Sequence, residues 1–114
     1  MNRLKVFHTP TARSKLKEIY AYSCKQWGEK TANKYMADIE KVISQAAVEH
    51  GGKKRNPEFS TRFTYSLSNR HYVFFEVKGD ILIIASLFHV SMNISQRLMT
   101  EIPDIQVEIN KIND

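Results

Sequence analysis

Apolar and basic residues alternate over residues 3–8, with Leu4 and Val6 on one face and Arg3 and Lys5 on the other, which predicts a short strand. The period then changes. Thr9-Pro10 reads as a helix N-cap followed by proline at the first helical position, where the missing N–H has no partner to lose. Ala12, Leu16, Ile19, Tyr20 and Trp27 follow at helical spacing, while Arg13, Lys15, Lys17, Glu18 and Lys25 mostly point away. On that stripe Tyr20 and Trp27 are expected in the core. Gly28 is placed to end the helix. A second stripe begins almost at once with Ala32, Tyr35, Met36, Ile39, Val42, Ile43, Ala46 and Ala47, and the short connector predicts an antiparallel helical hairpin.

Residues 50–57 form a loop by composition. Strands are predicted over 61–67, 70–77 and 81–88, joined by turns of hairpin length at Ser68-Asn69 and Lys78-Gly79-Asp80. The last strand is apolar on both faces and is expected to lie centrally. A sheet with a helical hairpin on one face is an α+β fold in the order β-α-α-β-β-β. One domain is expected over residues 1–98, followed by an extension over 99–114. In that extension Ile105, Val107 and Ile109 alternate as in a strand, whereas Ile102, Ile105, Ile109 and Ile112 are spaced as on a helix whose start Pro103 limits.

Charge separates the same two regions. The net charge is +5, yet residues 1–98 hold 16 Lys/Arg against 8 Asp/Glu, and residues 99–114 hold only Lys111 against Glu101, Asp104, Glu108 and Asp114. A basic body attracts polyanions or acidic partners, and the acidic, apolar-striped extension is expected to dock on its own domain or on a partner. The lone Cys24 cannot staple the fold, no Cys/His cluster has zinc spacing, and no cofactor or metal is expected. The N-terminus lacks the apolar run of a signal peptide, and the longest apolar stretch, residues 81–87 broken by Ser86, is too short to span a bilayer. A cytoplasmic protein without a membrane partner is expected. Gly51-Gly52 lacks phosphate-loop spacing, and no Ser-His-Asp or Cys-His arrangement is supported.

Several residues carry a resemblance to the ParE/RelE toxin superfamily over roughly residues 3–98. Trp27-Gly28 with Ala32, Tyr35 and Ile39 resembles its W-G…A…Y pattern, and Arg62 resembles the arginine that opens its second strand. His71, Val73 and Phe75 resemble its His-x-Ile-x-Tyr strand, and Leu87-Phe88-His89 with Met92-Asn93 resembles its Leu-His-x-x-Met-Asp ending. Asn93 in place of aspartate, Phe63 after the arginine, the Lys53-Lys54-Arg55 run and the extension all depart from the pattern. The resemblance implies a helical hairpin on a small curved antiparallel sheet, with a cognate antitoxin whose C-terminal segment wraps the toxin, in some cases within a higher-order complex. It favours the ParE branch, whose members poison DNA gyrase and block replication, over the RelE branch, whose members cut mRNA in the ribosome. A member that is harmless and only binds its antitoxin is a third reading.

The candidate site residues divide along those branches. For a ribosome-dependent nuclease, Arg62 and Lys54 would stabilise the phosphorane charge and His89 would protonate the leaving oxygen. Glu58 is the nearby loop carboxylate, but no residue is a convincing general base. For binding of nucleic acid or another target, Lys53, Lys54, Arg55 and Arg70 are the candidates, the last on a strand face with Tyr72 and Phe74. Each has a structural alternative: His89 fixes the C-terminal segment, Arg62 pins an antitoxin carboxylate or a backbone carbonyl, and the Lys-Lys-Arg run is a solvated loop. His50 and His71 extend the histidine set, although His71 shares its face with Val73, Phe75 and Val77 and suits a core or rim position.

Overall fold

The structure, a computed structural model, describes residues 2–55 and 63–112. Strand β1 (Lys5–His8) leads into helix α1 (Pro10–Trp27) and helix α2 (Glu29–Glu49). Strands β2 (Thr64–Ser68), β3 (His71–Lys78) and β4 (Ile81–His89) follow, and helix α3 (Ile94–Asn110) closes the described chain.

Thr9 begins α1 as the sequence predicts, and it also ties the helix to the sheet. Its buried hydroxyl accepts from the Ala12 N–H at 3.0 Å and lies 3.1 and 3.0 Å from the Ile84 and Ala85 carbonyls, to which it donates. Gly28 serves two helices. At φ +90° it donates its N–H to the Cys24 carbonyl, closing α1, and its own carbonyl accepts from Ala32 in the first turn of α2. His50 ends α2 in the left-handed conformation, and its ring Nε2 lies 2.7 Å from the Asn2 carbonyl.

Among the described residues the strands form a four-stranded sheet in the order β1-β4-β3-β2. The α+β reading holds, and β4 lies between β1 and β3 with eight consecutive buried residues, as its two apolar faces predict. The sheet is mixed rather than wholly antiparallel, because β1 pairs parallel to β4, Lys5 with Ile81 through His8 with Ile84. The helical hairpin and the β2–β3 hairpin lie between these two strands in sequence, and so long a connection permits parallel pairing. The third strand begins at His71, which leaves Arg70 in the turn beside Asn69 and off the face of Tyr72 and Phe74.

Both faces of the sheet are covered. Leu82, Ile84, Leu87, Val73 and Phe75 pack under the hairpin against Ile39, Ile43, Ala46 and Ala47. Phe63, Phe74, Ile83, Ala85 and Phe88 pack against α3 through Ile94, Leu98, Ile105 and Ile109. An irregular register between Phe74 and Phe75 pairs them with Ser86 and Ile84, so that Ala85 has no partner of its own. The extra residue keeps Ile84 and Leu87 toward the hairpin and turns Ala85 and Phe88 toward α3.

The extension is therefore helical. Asn93 caps α3 by accepting from the Gln96 N–H at 3.3 Å, so the helix begins well before Pro103, which lies inside it. It docks on its own domain by charge as well as by apolar contact. Lys15 of α1 donates to both Glu101 oxygens at 2.7 and 3.0 Å and to Ser86 at 2.8 Å. Glu108 accepts from the Thr11 N–H at 2.9 Å and hydroxyl at 2.7 Å, placing a carboxylate on the N-terminal turn of α1. These contacts cover the stretch of β4 beyond Ile84, where pairing with β1 has ended.

Candidate functional site

A groove of about 510 Å³ opens between α1, the start of β3, the end of β4 and the start of α3. One wall is aromatic and apolar. Tyr22 and Trp27 of α1 meet edge to face at 5.8 Å and are 59% and 58% exposed. Trp27 is thus not in the core as its place on the helical stripe predicts. It is the last residue of α1, and the chain turns at Gly28 directly after it. Tyr20 is half-buried. Ile19, Leu87 and the exposed Met92 continue the apolar lining.

The other side of the groove is polar. Hairpin pairing sets His71 of β3 opposite His89 of β4, with ring centroids 5.2 Å apart and planes nearly perpendicular. Tyr35 of α2 reaches the same place. Its hydroxyl accepts from the Arg70 N–H at 3.3 Å and lies 2.5 Å from His71 Nδ1. The phenol's own proton is free to go to Nδ1, and in that arrangement the His71 proton sits on Nε2. At His89, Nδ1 accepts from the Ser91 N–H at 3.1 Å, with Ser91 Oγ 2.7 Å away, so this ring also carries its proton on Nε2. Burial, and secondarily the neighbouring His89, lowers the His71 pKa to about 4. Both rings therefore keep Nε2 as the donor atom.

Arg70 and Arg97 line the groove, as do Glu18 and the Lys15–Glu101 pair. Lys15 also stands 3.8 Å from the centre of the Phe88 ring, a cation–π contact. Burial lowers its pKa, and Glu101 opposes that effect. The pair is part of the support of the groove: it joins α1, β4 and α3.

The remaining sequence candidates lie elsewhere. Lys53, Lys54 and Arg55 are exposed and none lines the groove. Their loop is stitched to the outer edge of the sheet, where Lys54 and Tyr65 exchange backbone hydrogen bonds at 2.9 and 2.8 Å. Gly52 allows this approach, since a Cβ there would stand 2.7 Å from Tyr65 backbone atoms. Lys54 is not among the residues that line the groove with His89. Arg62 and Glu58 lie outside the described residues. His50 is engaged at the end of α2, away from the histidine pair. Of the sequence candidates, the groove brings together Arg70, His71 and His89, and it adds Tyr22, Trp27, Tyr35 and Arg97. Among the described residues no group of three or more His, Cys, Asp or Glu could hold a metal ion, and no helix is long and apolar enough to cross a membrane.

Residues 6–94 match the family described as ParE toxin of type II toxin-antitoxin system, parDE. The chain belongs to the ParE toxin family. The match favours the ParE branch over the RelE alternative and ends where α3 begins. A protein named Toxin ParE from Escherichia coli is 26% identical over 91 residues, which cover 79% of this chain and 88% of that protein. The fold is similar to that of a chain from the chromosomal ParDE system of P. aeruginosa, with a TM-score of 0.66 at 19% identity. That likeness covers 78% of this chain and 98% of the other. The ParE fold thus accounts for the hairpin and the sheet, and α3 lies beyond the matched region of the family.

Proposed function

We propose that this ParE-family toxin inhibits DNA gyrase and so arrests replication, and that a cognate antitoxin neutralises it. The observation that carries this reading is the family match over residues 6–94. It is a binding mechanism, in which the protein poisons its target without performing chemistry. The geometry at His89 supports that choice. Its Nδ1 is occupied in closing the turn after β4, through the Ser91 N–H and hydroxyl, and Lys54, its proposed partner in catalysis, does not line the groove. Action on gyrase places the protein in the cytoplasm.

The test is a gyrase supercoiling assay with purified protein, run beside a ribosome-programmed mRNA cleavage assay. Inhibited supercoiling with intact mRNA is the expected result. Codon-positioned mRNA cuts that disappear in Arg62→Ala would overturn it in favour of the nuclease. Induction without antitoxin is expected to stop growth, and unaffected growth would leave only an antitoxin-binding role.

A further inference from the structure

The groove beside α1 carries three sets of groups that the fold itself leaves unused. On α1, Glu18 lines the groove and makes no ion pair or hydrogen bond among the described residues. Tyr22, four residues on, is its neighbour on the same helix face, about 5–6 Å away between Cβ atoms. The Tyr22 and Trp27 rings stand at 81° to one another and are exposed, so together they form an aromatic corner. Across the groove, the Arg70 and Arg97 side chains make no ion pair, and Nε2 of His71 and of His89 makes no hydrogen bond among the described residues. Lys15 and Glu101 also line the groove, but they are committed to each other at 2.7 Å.

We propose that this groove is a binding site for a guanine nucleotide. The base lies in the corner of Tyr22 and Trp27 with its N1–H and 2-amino group on the Glu18 carboxylate. The phosphate lies among Arg70, Arg97 and the two imidazole Nε2 atoms. The site stands independently of the action on gyrase.

The ligand follows from matching all three sets at once. Inorganic phosphate or a polyphosphate would satisfy the guanidinium groups but leave Glu18 facing an anion. An uncharged aromatic molecule would fill the corner and leave both arginines without a partner. A nucleotide joins a plane that stacks on aromatic rings to a phosphate that takes guanidinium and N–H donors. Glu18 then selects the base, because an ionised carboxylate only accepts hydrogen bonds. Guanine presents two adjacent N–H donors on its pairing edge, which a carboxylate takes as a fork. Adenine and cytosine turn an unprotonated ring nitrogen to the same place, and uracil flanks its single N–H with two carbonyl oxygens. The volume of about 510 Å³ lies within the range of about 300–1,000 Å³ usual for small-molecule sites.

The test titrates the full chain with GMP, AMP, guanosine and inorganic phosphate in a calorimeter, with thermal unfolding of each variant to verify folding. GMP is expected to bind roughly ten-fold more tightly than AMP, as a bidentate contact to one base implies, and more tightly than guanosine or phosphate alone. Glu18→Gln should abolish the preference for GMP over AMP and leave phosphate binding as in the parent. Arg70→Ala/Arg97→Ala should weaken GMP and leave guanosine unchanged, whereas Lys53→Ala/Lys54→Ala, with the same loss of charge on the loop along β2, should leave GMP unchanged. Tyr22→Ala should weaken GMP and guanosine alike. No binding at about 5 mM GMP, a concentration that would load a site of millimolar affinity, overturns the proposal. Equal binding of GMP and AMP, or a preference that survives Glu18→Gln, overturns the assignment of guanine. Equal losses in the arginine and lysine variants overturn the groove as the site. A single-stranded RNA tetranucleotide with one guanine separates the two sources of the ligand: tighter binding than GMP, lost in Glu18→Gln, marks a guanine within a strand, and weaker binding marks the free nucleotide.

Discussion

At the scale of single residues, His71 is where burial and chemistry meet. A folded-state pKa of about 4 stands below the ordinary 6.5 because burial denies the charged ring its hydration and a second imidazole faces it. The unfolded chain therefore binds a proton more readily than the folded one between those values. The sign follows: the stability tied to His71 is fully present above pH 6.5 and is lost as pH falls toward 4. Urea midpoints at pH 7.0 and 4.5 are expected to differ more in the parent than in His71→Gln, and equal differences would remove His71 as a cause. Tyr35→Phe deletes the acceptor of the Arg70 N–H and the donor to His71. It is expected to cost about 1–2 kcal/mol in urea denaturation. Neither residue announces its role in the sequence. His71 reads as a core or rim position because it shares a period with Val73 and Phe75, and its phenol partner lies 36 residues away on α2. Only the packing of the hairpin on the sheet brings them together. Trp27 is misleading for a related reason: periodicity places a residue on a face and does not say how far the covering sheet extends.

At the scale of elements, local rules were sufficient where the signal was local. Thr9-Pro10, Gly28 and two long apolar stripes specify the hairpin, and the turns at Asn69 and Gly79 both adopt positive φ as hairpin chemistry demands. The direction of β1 was not legible, because its pairing with β4 depends on where the intervening helices carry the chain. α3 was ambiguous because its isoleucines satisfy a period of two and a helical period together; the aromatic second face of the sheet selects the helix. Two substitutions probe how elements are joined. Gly52→Ala forces a Cβ against the Tyr65 backbone and is expected to cost about 1–3 kcal/mol, read as a lowered melting temperature. At the junction of α1, β4 and α3, Lys15→Met leaves the partly buried Glu101 without its cation, and Glu101→Leu leaves Lys15 without its carboxylate. Each is expected to destabilise, and the double variant should recover part of the loss, with a coupling of about 1–3 kcal/mol. Strict additivity in the cycle would show that the Lys15–Glu101 pair contributes nothing to holding α3.

At the scale of the molecule, the distribution of charge matters more than its sum. The fold uses much of the acidity of residues 99–114 internally, since Glu101 meets Lys15 and Glu108 meets Thr11. What remains outside is a basic body, with Arg70 and Arg97 at the groove and Lys53, Lys54 and Arg55 on the loop along the β2 edge. A field of this kind acts mainly on encounter, and salt screens it over about 8 Å at physiological ionic strength. Contacts made after docking, between desolvated groups and aromatic rings, are screened far less. Association with an acidic antitoxin should therefore slow by about ten-fold or more between 50 and 500 mM salt, while dissociation changes little. Stopped-flow measurement separates the two rates. The Lys53→Glu/Lys54→Glu variant should flatten the salt dependence of association and leave dissociation as in the parent, because those side chains act through the field. If salt instead acts mainly on dissociation in the parent, the charges lie within the docked interface, and the reading of the basic body as a steering surface fails.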